Sequence, residues 1–308
     1  MKKKVITAIG ILLITAGAIV SKIWTPYGFD AFVLIMSILG AWEVAQALIK
    51  MDRPTNVYLS IAYSIIVYAG VCAGYILKWK WSYFLYYYLI AFIGLALIVL
   101  VVALITKRKE EDTVKEAWDI TINTAFTWIY PTVFISMLYF INHFSDSVSV
   151  SGSSVISEST FYMFIMLLVF TITMITDTMA MFTGMTIKGP KLCPKISPNK
   201  TISGAIGGLV FGALGAVALY LIFSTNSAFT SAAEILNLNI VWVAIVGVVG
   251  SLFTQVGDIF ASYIKRKAEI KDYSNIIPGH GGVMDRIDGL IFNAVWIAAV
   301  LAFICRVL

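Results

Sequence analysis

Apolar residues fill this chain in long, nearly unbroken runs, and the polar residues collect in short stretches between them. A run of about 20 apolar residues is long enough to cross a bilayer as a helix. Such runs predict about nine helices, at roughly 5–23, 29–49, 57–77, 82–106, 117–142, 159–186, 202–224, 239–263 and 289–307. Helix is the expected form because a lipid-facing backbone must satisfy its own hydrogen bonds within the segment. The runs are too long and too uniform for the alternating strands of a membrane barrel. Gly204, Gly207, Gly208, Gly212 and Gly215 lie in one span, where small residues let helices approach closely. The expected fold class is therefore all-α: a polytopic transmembrane helical bundle forming a single membrane domain. Within it, residues 1–142 supply N-terminal packing and lipid-side helices, and residues 143–308 supply the C-terminal helices with the richer polar loops.

Composition agrees with this pattern. The 308 residues are 60% apolar and 13% charged, with a mean hydropathy of +0.90. A soluble domain is nearer half apolar and a quarter charged, so a water-soluble enzyme is excluded. The start, Met1-Lys2-Lys3-Lys4 and then an apolar run, resembles a signal peptide, but no small-residue cleavage site follows it. It reads as a retained first helix.

Charge orients the bundle. With the N-terminus in the cytoplasm, the inner parts hold Lys2, Lys3, Lys4, Lys50, Arg53, Lys107, Arg108, Lys109, Lys115, Lys188, Lys191, Lys195, Lys200, Lys265, Arg266, Lys267, Lys271 and Arg286. The outer side keeps only Lys22, Lys78, Lys80 and Arg306. That asymmetry follows the positive-inside rule and predicts a multi-pass protein of the cell membrane. The outer loop 143–158 is serine-rich without a basic residue and reads as a flexible, solvated connector. Cys72, Cys193 and Cys305 have no CxxC spacing, which argues against a zinc site or a disulfide framework.

Two cytoplasmic segments are unlike the rest, and either could still be a solvated basic loop with ordinary ion pairs. The first, 188–204, holds three prolines and four lysines, and its Ser-Pro-x-Lys-Thr end (Ser197, Lys200, Thr201) runs into a helix start. Proline makes it a shaped loop rather than a helix. Free N–H groups at a helix start favour an anion, although a plain positive-inside loop against lipid headgroups remains an open reading. The second runs from Gly257-Asp258 to Asp288 and interleaves cations with carboxylates. Mg²⁺ takes oxygen ligands, usually one or two carboxylates plus phosphate oxygens and water. Asp258, Asp285 and Asp288 are candidate ligands, and Lys265, Arg266, Lys271 and Arg286 are candidate phosphate partners. The Pro278-Gly279-His280-Gly281-Gly282 turn allows close backbone approach to a ligand. Asp177 lies near the inner end of one span, and Glu43 lies in another beside Trp42. An ionisable group at such depth pairs or serves a function, and both roles stay open for these two.

The run from Ser262 to Asp288 resembles the signature of the phosphatidate cytidylyltransferases. The pattern is Ser-x-apolar-Lys-Arg, four residues, Lys-Asp, then Pro-x-His-Gly-Gly-apolar-x-Asp-Arg-apolar-Asp. Ser262, Lys265, Arg266, Lys271, Asp272, Pro278, His280, Gly281, Gly282, Asp285, Arg286 and Asp288 meet every fixed position. Gly257-Asp258 resembles the family's Gly-Asp upstream. Asp177-Thr178, Lys191-Leu192, Pro194, Ile196-Ser197-Pro198, Lys200-Thr201 and Gly204 resemble its second motif. The close likeness covers about the last 130 residues. Departures stand at Met181, Met185, Lys188-Gly189 and Ser203, where the family carries tyrosine, arginine, Gly-Lys and an acidic residue.

The resemblance implies a catalytic region within 143–308 that makes CDP-diacylglycerol and diphosphate from CTP and phosphatidate, using Mg²⁺, with a second metal ion left open. It implies Asp258, Asp285, Lys265 and Arg266 as catalytic residues, and Asp258, Asp285 and Asp288 as metal ligands. Ser197, Lys200, Thr201, Ser262, Lys271, His280, Gly281, Gly282, Arg286 and Asp177 would contact the phosphates of the substrates. Expected partners are CTP, phosphatidate and membrane lipid, with no nucleic acid, and a homodimer is left open. The alternatives are a related CTP-dependent membrane enzyme, either a polyprenol kinase or an ether-lipid cytidylyltransferase, and an ion-coupled transporter. The transporter fits less well, because the polar residues gather on one face without paired broken helices in matching halves.

Overall fold

Continuous apolar sequence closes into helices here, as the need to satisfy backbone groups in lipid requires. The computed structural model describes residues 2–22, 24–25, 27–77, 81–106, 113–143, 149–150, 154–155 and 159–304. Its helices are α1 (Lys2–Ser21), α2 (Tyr27–Lys50), α3 (Val57–Ile76), α4 (Trp81–Thr106), α5 (Thr113–Thr127), α6 (Phe134–His143), α7 (Ser159–Ile187), α8 (Ile202–Phe223), α9 (Ser227–Ile235), α10 (Ile240–Lys267) and α11 (Met284–Ile304). Two short antiparallel hairpins complete it, β1 (Ser149–Val150) with β2 (Ser154–Val155), and β3 (Lys191–Cys193) with β4 (Ser197–Thr201).

Among the described residues, eight helical stretches are long and apolar enough to cross a membrane. They correspond to the second through ninth predicted spans, and the all-α polytopic class holds. The first predicted span corresponds to α1, whose described apolar stretch is Ile9–Ser21. Lys78, Lys80, Lys107, Arg108, Lys109, Arg306 and most of the serine-rich loop lie outside the described residues.

The chain divides into two units: residues 1–139 with 264–286, and residues 140–263 with 287–308. In the first unit, Trp128 is fully buried, 5.2 Å from the Tyr63 ring and 5.3 Å from the Phe92 ring. Its indole N–H donates to the Leu59 carbonyl at 3.0 Å. The predicted helix 117–142 is interrupted there. A wider turn, Trp128–Val133, separates α5 from α6, and Tyr130 leaves helical geometry at φ −120°, ψ 111°. Tyr130 precedes Pro131, and the proline ring pushes the residue before it out of the helical region.

In the second unit, α7 packs against α8 through the predicted glycines. A Cβ on Gly204 would lie 2.6 Å from the Ala180 carbonyl oxygen, and one on Gly208 would lie 3.1 Å from the Ala180 Cβ. Polar residues within these spans find partners. Thr176 Oγ1 donates to Ser251 Oγ at 2.8 Å, and Asn293 Nδ2 donates to the Val169 carbonyl at 2.9 Å. Helix α9 falls in a stretch read as a connector. Asn226 caps it by accepting from Ala228 and Phe229 N–H, and buried Phe229 packs 4.8 Å from the Phe164 ring.

Candidate active site

The proline-rich loop is folded as the β3–β4 hairpin, which ends by capping α8. Thr201 is extended, and its hydroxyl accepts the Gly204 N–H at 3.1 Å, satisfying one of the donors a helix start leaves free. Ser203 Oγ donates to the Lys188 carbonyl, tying the helix start to the chain entering the hairpin. Lys188 and Gly189 both take positive φ, 60° and 110°, so the reversed Lys-Gly order places a non-glycine residue in left-handed backbone.

This hairpin presents Lys200 to α10. Lys200 Nζ lies 2.6 Å from Asp258 Oδ2, with the two side chains 22% and 37% exposed. One turn on, Ser262 Oγ reaches Asp258 Oδ1 at a long 3.5 Å. Gly257 brings α10 close to α11, since a Cβ there would run into the Asp288 carbonyl oxygen and the Phe292 ring. Asp288 is buried, and its Oδ1 accepts the Gly289 N–H at 2.8 Å. Asp177 is exposed on α7, beside buried Thr176. Ser197 opens β4 and is half-buried.

A second cluster forms in the other unit around the signature turn. Lys265 Nζ lies 2.6 Å from Asp285 Oδ1, with side chains 12% and 2% exposed. Asp285 Oδ2 accepts the N–H groups of Tyr273 and Gly282, each at 2.9 Å. Lys265 also sits 5.6 Å from the Tyr273 ring centroid, within cation–π range. The Ile277 N–H donates to the Gly281 carbonyl and the His280 N–H to the Ile277 carbonyl, both at 2.9 Å. Those bonds close the Pro-Gly-His turn, and Gly279 (φ 78°) and Gly281 (φ 86°) supply its left-handed positions. His280 Nδ1 is buried with no hydrogen-bond partner among the described residues. Arg266, Lys271 and Arg286 are exposed.

Sequence reasoning left the role of Glu43 open, and the structure places it in this second cluster. Its side chain, on α2, is fully buried. It accepts from Ser274 Oγ at 2.5 Å, from Val283 N at 2.9 Å and from Met284 N at 2.7 Å. The signal in the sequence was an acid in an apolar span, which must find donors, but nothing local named them.

Each lysine–carboxylate pair, one beside a capped helix start and the other beside a tight glycine turn, is suited to holding a phosphate group. Residues 2–304 match the model of the cytidylyltransferase family. The chain belongs to that family. Similar curated proteins are the phosphatidate cytidylyltransferases of Rickettsia typhi, 42% identical over 132 residues, covering 42% of this chain and 55% of the relative, and of Brucella abortus, 37% identical over 119 residues, covering 39% of this chain and 40% of the relative. The chain thus spans about half the length of the curated relatives it matches.

In this cytidylyltransferase-family protein the carboxylates suit Mg²⁺ in donor type. Among the described residues Asp258 Oδ1 has only the long Ser262 contact, so it retains capacity to accept. Asp285 Oδ2 already accepts two N–H groups and Oδ1 faces Lys265, so an ion there would share Oδ1 with the ammonium. Among the described residues no three His, Cys, Asp or Glu side chains form a metal-holding group. Mg²⁺ commonly uses one or two carboxylates and completes its shell with phosphate and water, so each carboxylate taken by itself is of a donor type that suits it.

Proposed function

We propose that this protein transfers a cytidylyl group from CTP to phosphatidate at the cytoplasmic membrane face, giving CDP-diacylglycerol and diphosphate. Family membership, the names of its relatives and the Ser262–Asp288 signature support the reading. The observation that carries it is the presence of two close lysine–carboxylate pairs, Lys200–Asp258 and Lys265–Asp285, at the residues of the two motifs. The N-terminus would face the cytoplasm, and the lipid would enter sideways from the inner leaflet of the cell membrane.

In the reaction a phosphatidate oxygen attacks the α-phosphorus of CTP, a new P–O–P bond forms, and the α–β bridging bond breaks to release diphosphate. Such transfers depend on positioning and charge neutralisation more than on covalent help from the protein. Lys200, Lys265, Arg266, Lys271 and Arg286 would neutralise phosphate oxygens, with Ser197, Thr201 and Ser262 as further polar contacts. The open Nδ1 of His280 supports a ligand contact for that side chain, and Asp177 is a further candidate contact. Asp258 and Asp285, with Asp288 third, would hold Mg²⁺, whose charge offsets that of the phosphates when bound. A second ion would draw on the same carboxylates. No protein base is required, because a phosphate monoester near pH 7 is already largely ionised.

The test is position-specific labelling of CTP with purified protein and phosphatidate. The reading predicts that α-label enters the lipid phase while γ-label leaves as diphosphate. Recovery of γ-label in the lipid would replace it with a kinase.

A further inference from the structure

Glu43 belongs to neither sequence motif and lies far upstream of the signature in the chain. Its carboxylate nevertheless meets three donors of the signature turn and its surroundings: Ser274 Oγ at 2.5 Å, Val283 N at 2.9 Å and Met284 N at 2.7 Å. Met284 opens α11, so two of these donors are the N–H groups that a helix start cannot satisfy within the helix. Helices usually supply their own cap from a Ser, Thr, Asp or Asn just before the first turn. Here the residues before α11 are Gly281, Gly282 and Val283, none with a side-chain oxygen. The cap therefore comes from α2, whose Glu43 carboxyl oxygens face the positive end of the α11 dipole.

The glycines record the same arrangement. A Cβ on Gly282 would lie 2.7 Å from the Glu43 Cδ and 2.8 Å from its Oε2, and a Cβ on Gly281 would lie 2.9 Å from Asp285 Oδ2. Two carboxylates thus grip consecutive peptide groups from separate directions. Asp285 takes the Gly282 N–H, and Glu43 takes those of Val283 and Met284. Asp285 stands in the first turn of α11, so whatever fixes that turn also fixes the Asp285 carboxylate and the ammonium of Lys265 paired with it.

We propose that Glu43 is a positioning residue of the reaction, setting the start of α11 and the glycine turn so that Asp285 and Lys265 are held in register. The inference rests on the cytidylyl-transfer reading above. It assigns the N-terminal half a part in the chemistry beyond packing.

The experiment compares wild type, Glu43→Gln and Ser274→Ala, each purified in detergent. It measures kcat and KM for CTP and for phosphatidate per folded molecule, with amide hydrogen exchange over residues 272–288. Glutamine keeps the shape of Glu43 but offers one accepting oxygen in place of two. Glu43→Gln is expected to lower kcat about 10- to 100-fold, the scale of losing charge-assisted hydrogen bonds. KM should stay within about twofold, as for an effect on the transition state rather than on binding. Exchange at Val283 and Met284 should quicken, and Ser274→Ala should lower kcat in the same direction by less. Wild-type kcat in folded Glu43→Gln would overturn the proposal, even with a lowered melting temperature. If Glu43→Gln does not fold, a Ser274→Ala protein with wild-type kcat and exchange would overturn it. A wild-type protein that forms no CDP-lipid would instead refute the functional reading itself.

Discussion

The two lysine–carboxylate pairs have nearly the same length and very different surroundings, so the same substitution should have different consequences at each. Lys265–Asp285 is 2.6 Å long with side chains 12% and 2% exposed, and Asp285 also accepts two backbone N–H groups. Asp285→Asn would leave the Lys265 ammonium without its counter-charge and turn an amide donor toward existing donors. Breaking a buried pair from one side costs about 3–5 kcal/mol, and the slight exposure of Lys265 puts the expected loss near the lower end, roughly 3 kcal/mol. Lys200–Asp258 is also 2.6 Å long, but its side chains are 22% and 37% exposed. The Lys200 Nζ atom is itself buried but the Asp258 carboxylate keeps access to water, so Asp258→Asn should cost less than Asp285→Asn, about 1 kcal/mol. Both variants should lose CDP-lipid formation, since both carboxylates are proposed metal ligands. Thermal unfolding in detergent beside a turnover assay separates the two effects. Adding Lys265→Met to Asp285→Asn should recover part of the lost stability, because it removes the stranded charge. The reasoning fails if Asp285→Asn melts with wild type, or if Asp258→Asn is the more destabilised of the two.

Lys200→Ala should raise KM for CTP or phosphatidate about tenfold through loss of a phosphate partner, with little change in melting temperature, as steady-state kinetics and unfolding would show. Gly282→Ala, whose Cβ would press on the Glu43 carboxylate, should cost about 1–3 kcal/mol of stability and lower kcat with it. Thr201→Val removes the hydroxyl that caps α8 and should cost about 1 kcal/mol, measured by unfolding. Chelation of divalent ions should abolish turnover, and added Mg²⁺ should restore it.

The spans were legible because the bilayer fixes both the length and the apolar character of a crossing helix, and eight of them match. Legibility failed where a local rule competed with hydropathy. Pro131 sits inside an apolar run, so the run reads as one helix, while the proline breaks it at Tyr130. Helix α9 is too short to announce itself against the longer spans and is fixed by the Asn226 cap and burial of Phe229. The proline-rich loop was recognisable as non-helical, but its pairing of Lys191 with Thr201 was not. At the candidate site, the residue types pointed to phosphate and metal chemistry, and the signature named most of the participants. Which lysine faces which carboxylate depends on how α10 meets β4 and the start of α11. The donors of Glu43 lie more than 200 positions away in the chain, beyond any local pattern.

The most direct measurement counts products from one purified, reconstituted sample supplied with CTP and phosphatidate. The account predicts CDP-lipid and diphosphate in equal amounts, both lost together in Asp258→Asn and Asp285→Asn. CDP-lipid formed at wild-type rates by either variant would contradict it.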